Sequence, residues 1–449
     1  MGMISGWGRY PKIDAEEMSF ESDHHLQNLL NAPADSRTLI PRGLGRSYGD
    51  SSLAERVIST KRMDRLISFD DGTGVLVCES GVSIAEILNV FVPRGWFIPV
   101  TPGTKFVTIG GAIASDVHGK NHHLSGSFSN HIVWIDLALA DGEIVRCSTK
   151  ENRELFLATC AGYGLTGVVL RAAIQLTKVE TPYIRQHTIR AANLDEAMAA
   201  FENNRNWTYS VGWIDSLSSG NSSGRSVIML GEHASTGEIA SFIKGAHSDA
   251  GRGASGKSRL TVPFDFPAFA LNSFSVSTFN YLYYHKSTAN PKDSLVKYQP
   301  FFYPLDGILN WNRIYGRRGF TQYQLVLPKE SSREGLKEIL KMASSGGNAS
   351  FLTVLKLFGN EDLPYLSFAL EGYTLALDFP ITRYIFDELE KLDDIVKIHG
   401  GRLYLTKDCR MSIEMLRAGF PKLDKFLEVR ERIDPQRRFA SLQSKRLGL

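Results

Sequence analysis

The sequence predicts an α+β protein of at least two domains. Three observations carry that expectation. The 449 residues are enough for two or three domains, each with a sizeable core. In the first part of the chain, short runs of β-favouring residues alternate with glycine-rich turns. From about Lys178 that rhythm changes. Long amphipathic segments appear and strands become sparser, a pattern that suits a sheet backed by helices.

Taken in order, Arg37 to Pro41 reads as a strand entering the loop Arg42-Gly-Leu-Gly-Arg-Ser-Tyr-Gly-Asp50. Val57 to Thr60 and Gly74 to Glu79 read as strands. Ser83 to Val92 has apolar residues at helical spacing, with Ser83 as N-cap and Pro93 as stop. Phe97 to Val100 is a further short strand, and Ile109 to Ser115 opens a helix. Ile132 to Ala140 and Glu143 to Cys147 flank Asp141-Gly142, the signature of a hairpin. A helix over Asn152 to Thr159 and a strand over Gly167 to Leu176 follow. Beyond them come amphipathic segments at Leu194–Asn203 and Glu238–Ser248, then a flexible connector from Gly251 to Lys257. Phe264 to Tyr284 is rich in Phe and Tyr, including Phe269, and reads equally as a lid over an apolar groove or as a core helix plus strand. Strands at Phe320–Leu327, Ser350–Leu357 and Thr374–Phe379 alternate with helices at Glu334–Ala343 and Thr382–His399. The tail from Asp408 is charged and mostly helical.

Composition narrows the function classes. A formal net charge of +3 gives nucleic-acid binding no global electrostatic support. Cys78, Cys147, Cys160 and Cys409 form no CxxC pair, which argues against zinc or a disulfide framework and fits a reducing compartment. The start of the chain lacks a basic stretch followed by an apolar one, and no run approaches a membrane span. The expected location is cytoplasmic.

The stretch from Pro99 to Asn130 is where the chemistry concentrates. Small residues and the Gly110-Gly111 pair let backbone lie close to a flat or charged ligand. Runs of Gly, Ser and Thr amides cradle phosphate without basic side chains. His118 and His122 stand four apart, inviting a metal reading. Gly119 spoils the helix such a site needs, and His122 and His123 read better as structural hydrogen-bonders. In the Arg42–Asp50 loop, Gly43, Gly45 and Gly49 permit converging amides, and Arg42 and Arg46 suit a pyrophosphate. Alone, the loop reads as a surface turn. Gly162-Tyr-Gly164-Leu-Thr-Gly167 matches GxGxxG, but a helix precedes it and a strand follows. That order excludes the dinucleotide-binding fold, which needs the reverse.

Together these motifs resemble one family. The Arg42–Asp50 loop, Pro102-Gly-Thr104, Thr108-Ile-Gly-Gly-Ala-Ile-Ala114, His118-Gly-Lys-Asn-His-His123 and Gly162–Gly167 are similar to the FAD domain of the vanillyl-alcohol-oxidase type. A closer similarity is to the decaprenylphosphoryl-β-D-ribose 2′-oxidase family. It extends from Gly6-Trp-Gly-Arg9 through Asn272–Ser275, Trp311–Arg313, Gln322–Gln324, Leu355–Gly359, Asp378–Pro380, Gly401–Asp408 and Asp434–Ala440. The resemblance implies an α+β fold in which residues 1–180 and 402–449 build the FAD domain and 181–401 an inserted substrate domain, an antiparallel sheet backed by helices.

For the cofactor, the resemblance implies FAD held by Arg42, Gly43, Gly45, Arg46, Ser47, Tyr48 and Gly49, by Pro102, Gly103, Thr104, Thr108, Gly110, Gly111, Ala112 and Ser115, and by Asn121, Gly162, Gly164, Gly167 and Tyr404. His118 and Gly119 would sit beside the isoalloxazine ring. Many relatives in the wider superfamily bond flavin covalently through a loop histidine. Arg46 occupies that position here, so non-covalent FAD is expected. The implied reaction is oxidation of a furanose 2′-hydroxyl on a polyprenyl-phosphate carrier, with an NADH-dependent short-chain reductase completing epimerisation to arabinose. Such a substrate places the protein at the inner face of the cell membrane, as a peripheral contact. Alcohol oxidation needs a C–H aimed at flavin N5, a proton acceptor, and a donor at flavin N1–C2=O. Lys407 is the first catalytic candidate and His118 the second. Tyr48, Lys120, Tyr303, Gln322, Gln324 and Lys356 are implied substrate contacts. Arg313, Arg317 and Arg318 read as phosphate ligands or as a solvated loop. Some close relatives have a cysteine, open to covalent inhibitors, where this chain has Ala376. A free sugar, alditol or sugar acid is the competing substrate class, and a flavin-binding scaffold without turnover the competing non-enzyme.

Overall fold

A computed structural model describes residues 1–32, 37–245, 260–267, 272–287, 290–345, 350 and 352–449. Three larger sheets and two two-stranded pairs, together with helices, make an α+β fold among the described residues. The expected connector at 251–257, the end of the 238–248 segment and Phe269 lie outside the described residues.

A four-stranded sheet has the order Gly2–Ser5, Lys12–Ser19, Arg56–Ser59, Leu39–Arg42. A five-stranded sheet follows, in the order Leu66–Asp70, Val75–Glu79, Val168–Gln175, Ile132–Ala138, Ile144–Cys147. Its last two strands are the hairpin expected at Asp141-Gly142, with Gly142 at φ +85° supplying the left-handed turn residue. The Ile84–Phe91 helix starts with a capping box, Ser83 Oγ accepting from Glu86 N and the Glu86 carboxylate accepting from Ser83 N. Pro93 falls in a 3₁₀ turn, Val92–Arg94, beyond the helix end.

The region beyond Lys178 departs from expectation. Strands are not sparse there. An eight-stranded sheet runs Lys292–Lys297, Tyr183–Ala191, Ser226–His233, Tyr209–Ile214, Thr353–Phe358, Gly372–Pro380, Phe320–Pro328, Arg402–Leu403. Tyr183–Ala191 escapes a period-two reading because most of its residues are only half-buried, so polar side chains stand on both faces. Tyr209–Ile214 is buried throughout and shows no alternation. The strand expected over Phe97–Val100 shrinks to Trp96–Phe97, paired with Thr177–Lys178. The Leu194–Asn203, Lys329–Ser345 and Ile385–Ile398 helices accompany the large sheet.

The chain then returns to its start. Leu39 N–H donates to Arg438 O and Ala440 N–H to Leu39 O. Phe439 packs into a cluster with Phe20, Leu26, Leu30 and Ile58. Arg446 bridges Asp50 and Asp408 at 3.0 and 2.9 Å, tying the C-terminal helix to the end of the glycine loop. Among the described residues no helix is long and apolar enough to cross a membrane.

Candidate active site

The Leu39–Arg42 strand delivers the glycine loop between the first and third sheets. Trp7 N–H donates to Ser47 O at 2.8 Å and Tyr48 N–H to Thr406 O at 3.0 Å, so both chain ends hold the loop. Gly45 takes φ +64°, which favours glycine. Arg42 braces the loop: Nη1 donates to Ser52 O and Oγ, each at 3.1 Å, and Nη2 to Ser5 O at 2.7 Å. The Arg46 guanidinium carbon sits over the Trp7 ring, 4.1 Å from its centroid. The two arginines expected at a pyrophosphate therefore have partners in the protein. The backbone between them faces a cavity.

That cavity, about 710 Å³, falls within the range of cofactor sites. Arg42, Gly43, Gly45, Arg46, Ser47 and Tyr48 form one wall. Pro102, Gly103, Thr104, Thr108, Gly110, Gly111 and Ser115 form the next, and His118, Gly119, Gly164, Gly167 and Tyr404 continue it. Thr108 caps the Ile109–Ala114 helix, its Oγ1 accepting from Gly111 N at 3.2 Å. Tyr404 donates its hydroxyl to Ser115 O at 2.9 Å. The Gly162–Gly167 turn joins the Arg153–Thr159 helix to the Val168–Gln175 strand, the expected order.

Five predicted contacts stand behind the wall rather than on it. A Cβ on Gly49 would meet Asp408 O at 1.7 Å, and one on Gly162 would meet Ala158 O at 2.1 Å, so both glycines answer to close backbone packing. Ala112 is in the core. Asn121 Nδ2–H donates to Pro99 O at 2.9 Å. The Tyr303 hydroxyl pairs with Thr101 Oγ1 at 2.7 Å. Arg313 also faces elsewhere, donating to the carbonyls of Val262 and Pro263, while Arg317 and Arg318 are exposed.

On the large sheet, Gln322, Gln324, Lys356 and Thr374 face the same cavity, and Lys120 and Lys407 join them from neighbouring turns. Lys407 Nζ sits 3.5 Å from the Tyr48 ring centroid. Burial, reinforced by the charge of Lys356 and opposed by Asp378, brings the Lys407 ammonium down to about 7. Burial brings Lys356 to about 8, and burial with the Lys356 charge brings Lys120 to about 7. Lys120 Nζ donates to Phe302 O at 3.2 Å.

His118 lies among Phe358, Phe368 and Tyr404, with ring centroids 4.9, 5.5 and 5.1 Å away. Burial pushes it well below the ordinary imidazole range, helped by nearby Lys356, His122 and Lys407. It is therefore neutral. Gln324 Nε2–H donates to its Nε2 at 3.0 Å, which leaves the proton on Nδ1. Nδ1 is buried and has no protein partner among the described residues. His122 is placed differently: Nε2–H donates to Asp362 at 2.8 Å and Nδ1 accepts from Gly359 N at 3.2 Å. His123 Nε2–H donates to Trp207 O at 2.9 Å. Among the described residues no group of three or more His, Cys, Asp and Glu side chains is arranged to hold a metal ion.

One further side of the cavity is apolar, and sequence reasoning did not assemble it. Met229, Val211, Trp213, Leu352, Val354 and Ala376 come from four neighbouring strands and the approach to one of them. The Ser273–Lys286 helix lies over them, adding Phe279 and Tyr283, the latter 4.6 Å from Trp213 between ring centroids. This helix divides the two readings of the aromatic stretch: Val276, Asn280 and Tyr284 are buried, while Phe274, Tyr281 and Leu282 are exposed. The signal for these contacts was weak because cross-strand neighbours lie far apart in sequence. Trp213 is opposite Val354, and Val354 opposite Ala376.

These surfaces fit FAD. Gly103 has nothing within 4 Å of where a Cβ would stand, so backbone lies open to the cavity there. The buried Nδ1–H of His118 is a donor awaiting an acceptor. The glycine loop, the capped helix start and Tyr48 would hold the cofactor. No histidine occupies the loop at Arg46.

Comparison with known proteins agrees with that chemistry. Residues 18–148 match the FAD binding domain family, and residues 352–447 match the D-arabinono-1,4-lactone oxidase family. The chain is 36% identical to decaprenylphosphoryl-beta-D-ribose oxidase of Mycolicibacterium smegmatis, over 99% of this chain and 97% of that one. It is 24% identical to D-arabinono-1,4-lactone oxidase of Yarrowia lipolytica over 45% of this chain and 40% of that one. A mitochondrial D-2-hydroxyglutarate dehydrogenase of Rattus norvegicus is 30% identical over 27% of this chain and 24% of its own.

Proposed function

The chain belongs to the decaprenylphosphoryl-β-D-ribose oxidase family of FAD-dependent oxidoreductases, and we propose that it oxidises the 2′-hydroxyl of a polyprenyl-phosphoryl-β-D-ribofuranose to the 2′-ketone. One observation carries this reading: a single cavity joins a glycine-lined cradle, a polar corner with Lys120, Lys356, Lys407 and two glutamines, and an apolar wall. A sugar phosphate on a lipid has those last two chemistries in that sequence.

Bound FAD supplies the two-electron oxidant. Lys407 accepts the hydroxyl proton. With its proton affinity brought near neutrality by burial, its amine is populated at working pH. Lys356 and Lys120 meet the phosphate, whose negative charge favours their protonated forms. Gln322 and Gln324 fix the sugar hydroxyls, and His118 Nδ1–H donates to an acceptor held against it. The apolar wall takes the first isoprene units. By the same reading, residues 1–180 and 402–449 form the FAD domain and 181–401 the substrate domain. The 2′-keto product passes to an NADH-dependent short-chain reductase, and catalysis takes place at the inner face of the cell membrane, with the protein a peripheral contact.

The test is anaerobic reduction of the protein's flavin, followed by loss of its visible absorbance. Bleaching by polyprenyl-phosphoryl ribose, with free pentoses and alditols inert, is the expected result. Bleaching by the free sugars alone assigns the activity to a soluble substrate. A protein that takes up no FAD is not an enzyme of this class.

A further inference from the structure

Resting on the reading above, in which His118 serves the reaction, we propose that Asp362 is a positioning residue that holds His118 in place through the turn formed by residues 122–130. Asp362 lies in the loop that follows the Thr353–Phe358 strand, buried behind the cavity wall rather than on it. Its carboxylate collects three N–H donors from that turn. Oδ2 accepts from His122 Nε2–H at 2.8 Å, and Oδ1 from Asn130 Nδ2–H at 2.9 Å and Ser127 N–H at 3.3 Å. A Cβ on Gly126 would stand 2.0 Å from Asn130 Nδ2 and 2.8 Å from Oδ1, so the set needs that glycine. Gly359 fits the same joint: a Cβ there would meet His123 O at 2.8 Å and His123 Cα at 3.0 Å. Its N–H donates to His122 Nδ1 at 3.2 Å. With Nδ1 an acceptor, the His122 proton is on Nε2, and Asp362 is the acceptor it requires. The loop is anchored apart from the turn. Arg402 Nη2 donates to Glu361 Oε1 at 3.0 Å and Nη1 to Ser367 O at 2.9 Å.

Two sets of contacts lead from the turn to His118. Ser127 and His118 form an antiparallel bridge, and Phe128 N–H donates to Val117 O at 3.0 Å. Ser129 N–H donates to Asp116 Oδ1 at 2.9 Å. The 127–129 backbone is thus bound alongside 116–118. The second set is aromatic. The His122 ring packs on Phe358 with centroids 4.3 Å apart, and Phe358 packs edge-on against the His118 ring at 4.9 Å. Without the Asp362 carboxylate, His122 Nε2–H and Ser127 N–H are left buried and unpaired. The turn recovers partners only by moving, and both sets of contacts carry that movement to His118. A donor meant for a reacting group loses rate steeply with misplacement. Asp362 itself touches neither the cavity nor the reacting atoms.

The experiment measures flavin reduction per bound FAD in holoenzyme, with polyprenyl-phosphoryl ribose as reductant, beside the FAD dissociation constant from fluorescence titration. Asp362→Ala should slow reduction about tenfold. The FAD dissociation constant should stay that of the wild type, because the glycine loop and the Thr108 helix start are untouched. In a His118→Ala background the same change should cost little, since the group that Asp362 positions is gone. Asp362→Asn should recover most of the rate: its oxygen takes the His122 bond, and exposed Asn130 turns its amide to accept from the new Nδ2–H. An unchanged rate in Asp362→Ala overturns the proposal and spares the proposed function. A full loss repeated in the His118→Ala background, or a loss of FAD affinity in step with the rate, also overturns it. Failure of the wild type to bleach overturns the function itself, and the proposal with it. Should Asp362→Ala not retain flavin, Asp362→Ser is read by the same criterion: a slowed rate that His118→Ala masks supports the positioning role, and a wild-type rate refutes it.

Discussion

Gly43→Ala tests whether the glycine loop and the capped helix form one cradle. A Cβ at Gly43 would lie 2.2 Å from Thr108 Oγ1, 3.0 Å from its Cγ2 and 3.1 Å from its Cβ. The hydroxyl in the way is the one that accepts from Gly111 N. The added methyl must therefore rotate Thr108 out of its cap or push the loop away from the helix. Overpacking of this kind costs about 1–3 kcal/mol, and Thr108→Ala alone costs about 1 kcal/mol through the lost cap. Combined, the two changes should cost less than their sum, because removing Oγ1 and Cγ2 leaves only the 3.1 Å contact. A coupling of at least about 1 kcal/mol is expected from the double-mutant cycle. Urea unfolding in saturating FAD measures the cycle. Fluorescence titration of FAD measures what the cradle loses in affinity, expected to be greater in Gly43→Ala than in Thr108→Ala. Additive stability costs would refute the contact, and unchanged FAD affinity in Gly43→Ala would refute the cradle.

Lys407→Met keeps the aliphatic stem over Tyr48 and removes the proton acceptor. Flavin reduction by the lipid-linked sugar should slow about 100-fold with FAD retained, and unchanged rates in both this variant and His118→Ala would remove the leading pair. Wild-type protein should resist cavity-directed thiol reagents by intact mass, because none of the four cysteines lines the cavity, Cys78, Cys147 and Cys160 are buried, and burial pushes Cys78, Cys147 and the half-buried Cys409 up to about 12. Ala376→Cys should add one label. His233 governs part of the acid limb of stability. Its ring packs on Phe97 at 4.8 Å, neither nitrogen has a partner among the described residues, and burial lowers it to about 4. A folded value below the unfolded one means that the unfolded chain binds the extra proton between the two. Stability is then full above about 6.5 and falls as pH drops toward 4, by about 2 kcal/mol at pH 5 relative to pH 7.5. His233→Leu should flatten that limb in urea unfolding, and an unchanged slope between pH 7.5 and 5 would show that His233 does not govern it.

What could be read from sequence, and what could not, follows from how far each interaction reaches along the chain. The hairpin at Asp141-Gly142, the Ser83 cap and the Thr108 helix start are local: each is set by residues within a few positions, so the letters carry the geometry. The glycine cradle was readable for a related reason. Gly45 takes φ +64°, which favours glycine, and Gly103 leaves its backbone open on the cavity wall, so residue type and geometry go together there. Gly49 and Gly162 show the limit of that inference, since both are glycine because another carbonyl, not a ligand, occupies the space. The substrate side resists reading because a sheet face is assembled across strands. Gln322 meets Asp378, and Trp213, Val354 and Ala376 share a row, although long segments separate them in sequence. Register depends on packing over the whole sheet, and a one-residue slip would turn each of these side chains to the opposite face. Arg42 makes the same point for charge. Its sequence neighbourhood suggests an anion, whereas its partners are Ser52 and a carbonyl of the N-terminal strand. Motifs therefore located the glycine backbone that lines the cavity, while the corner that gathers Lys120, Lys356 and Lys407 depends on partners distant in sequence.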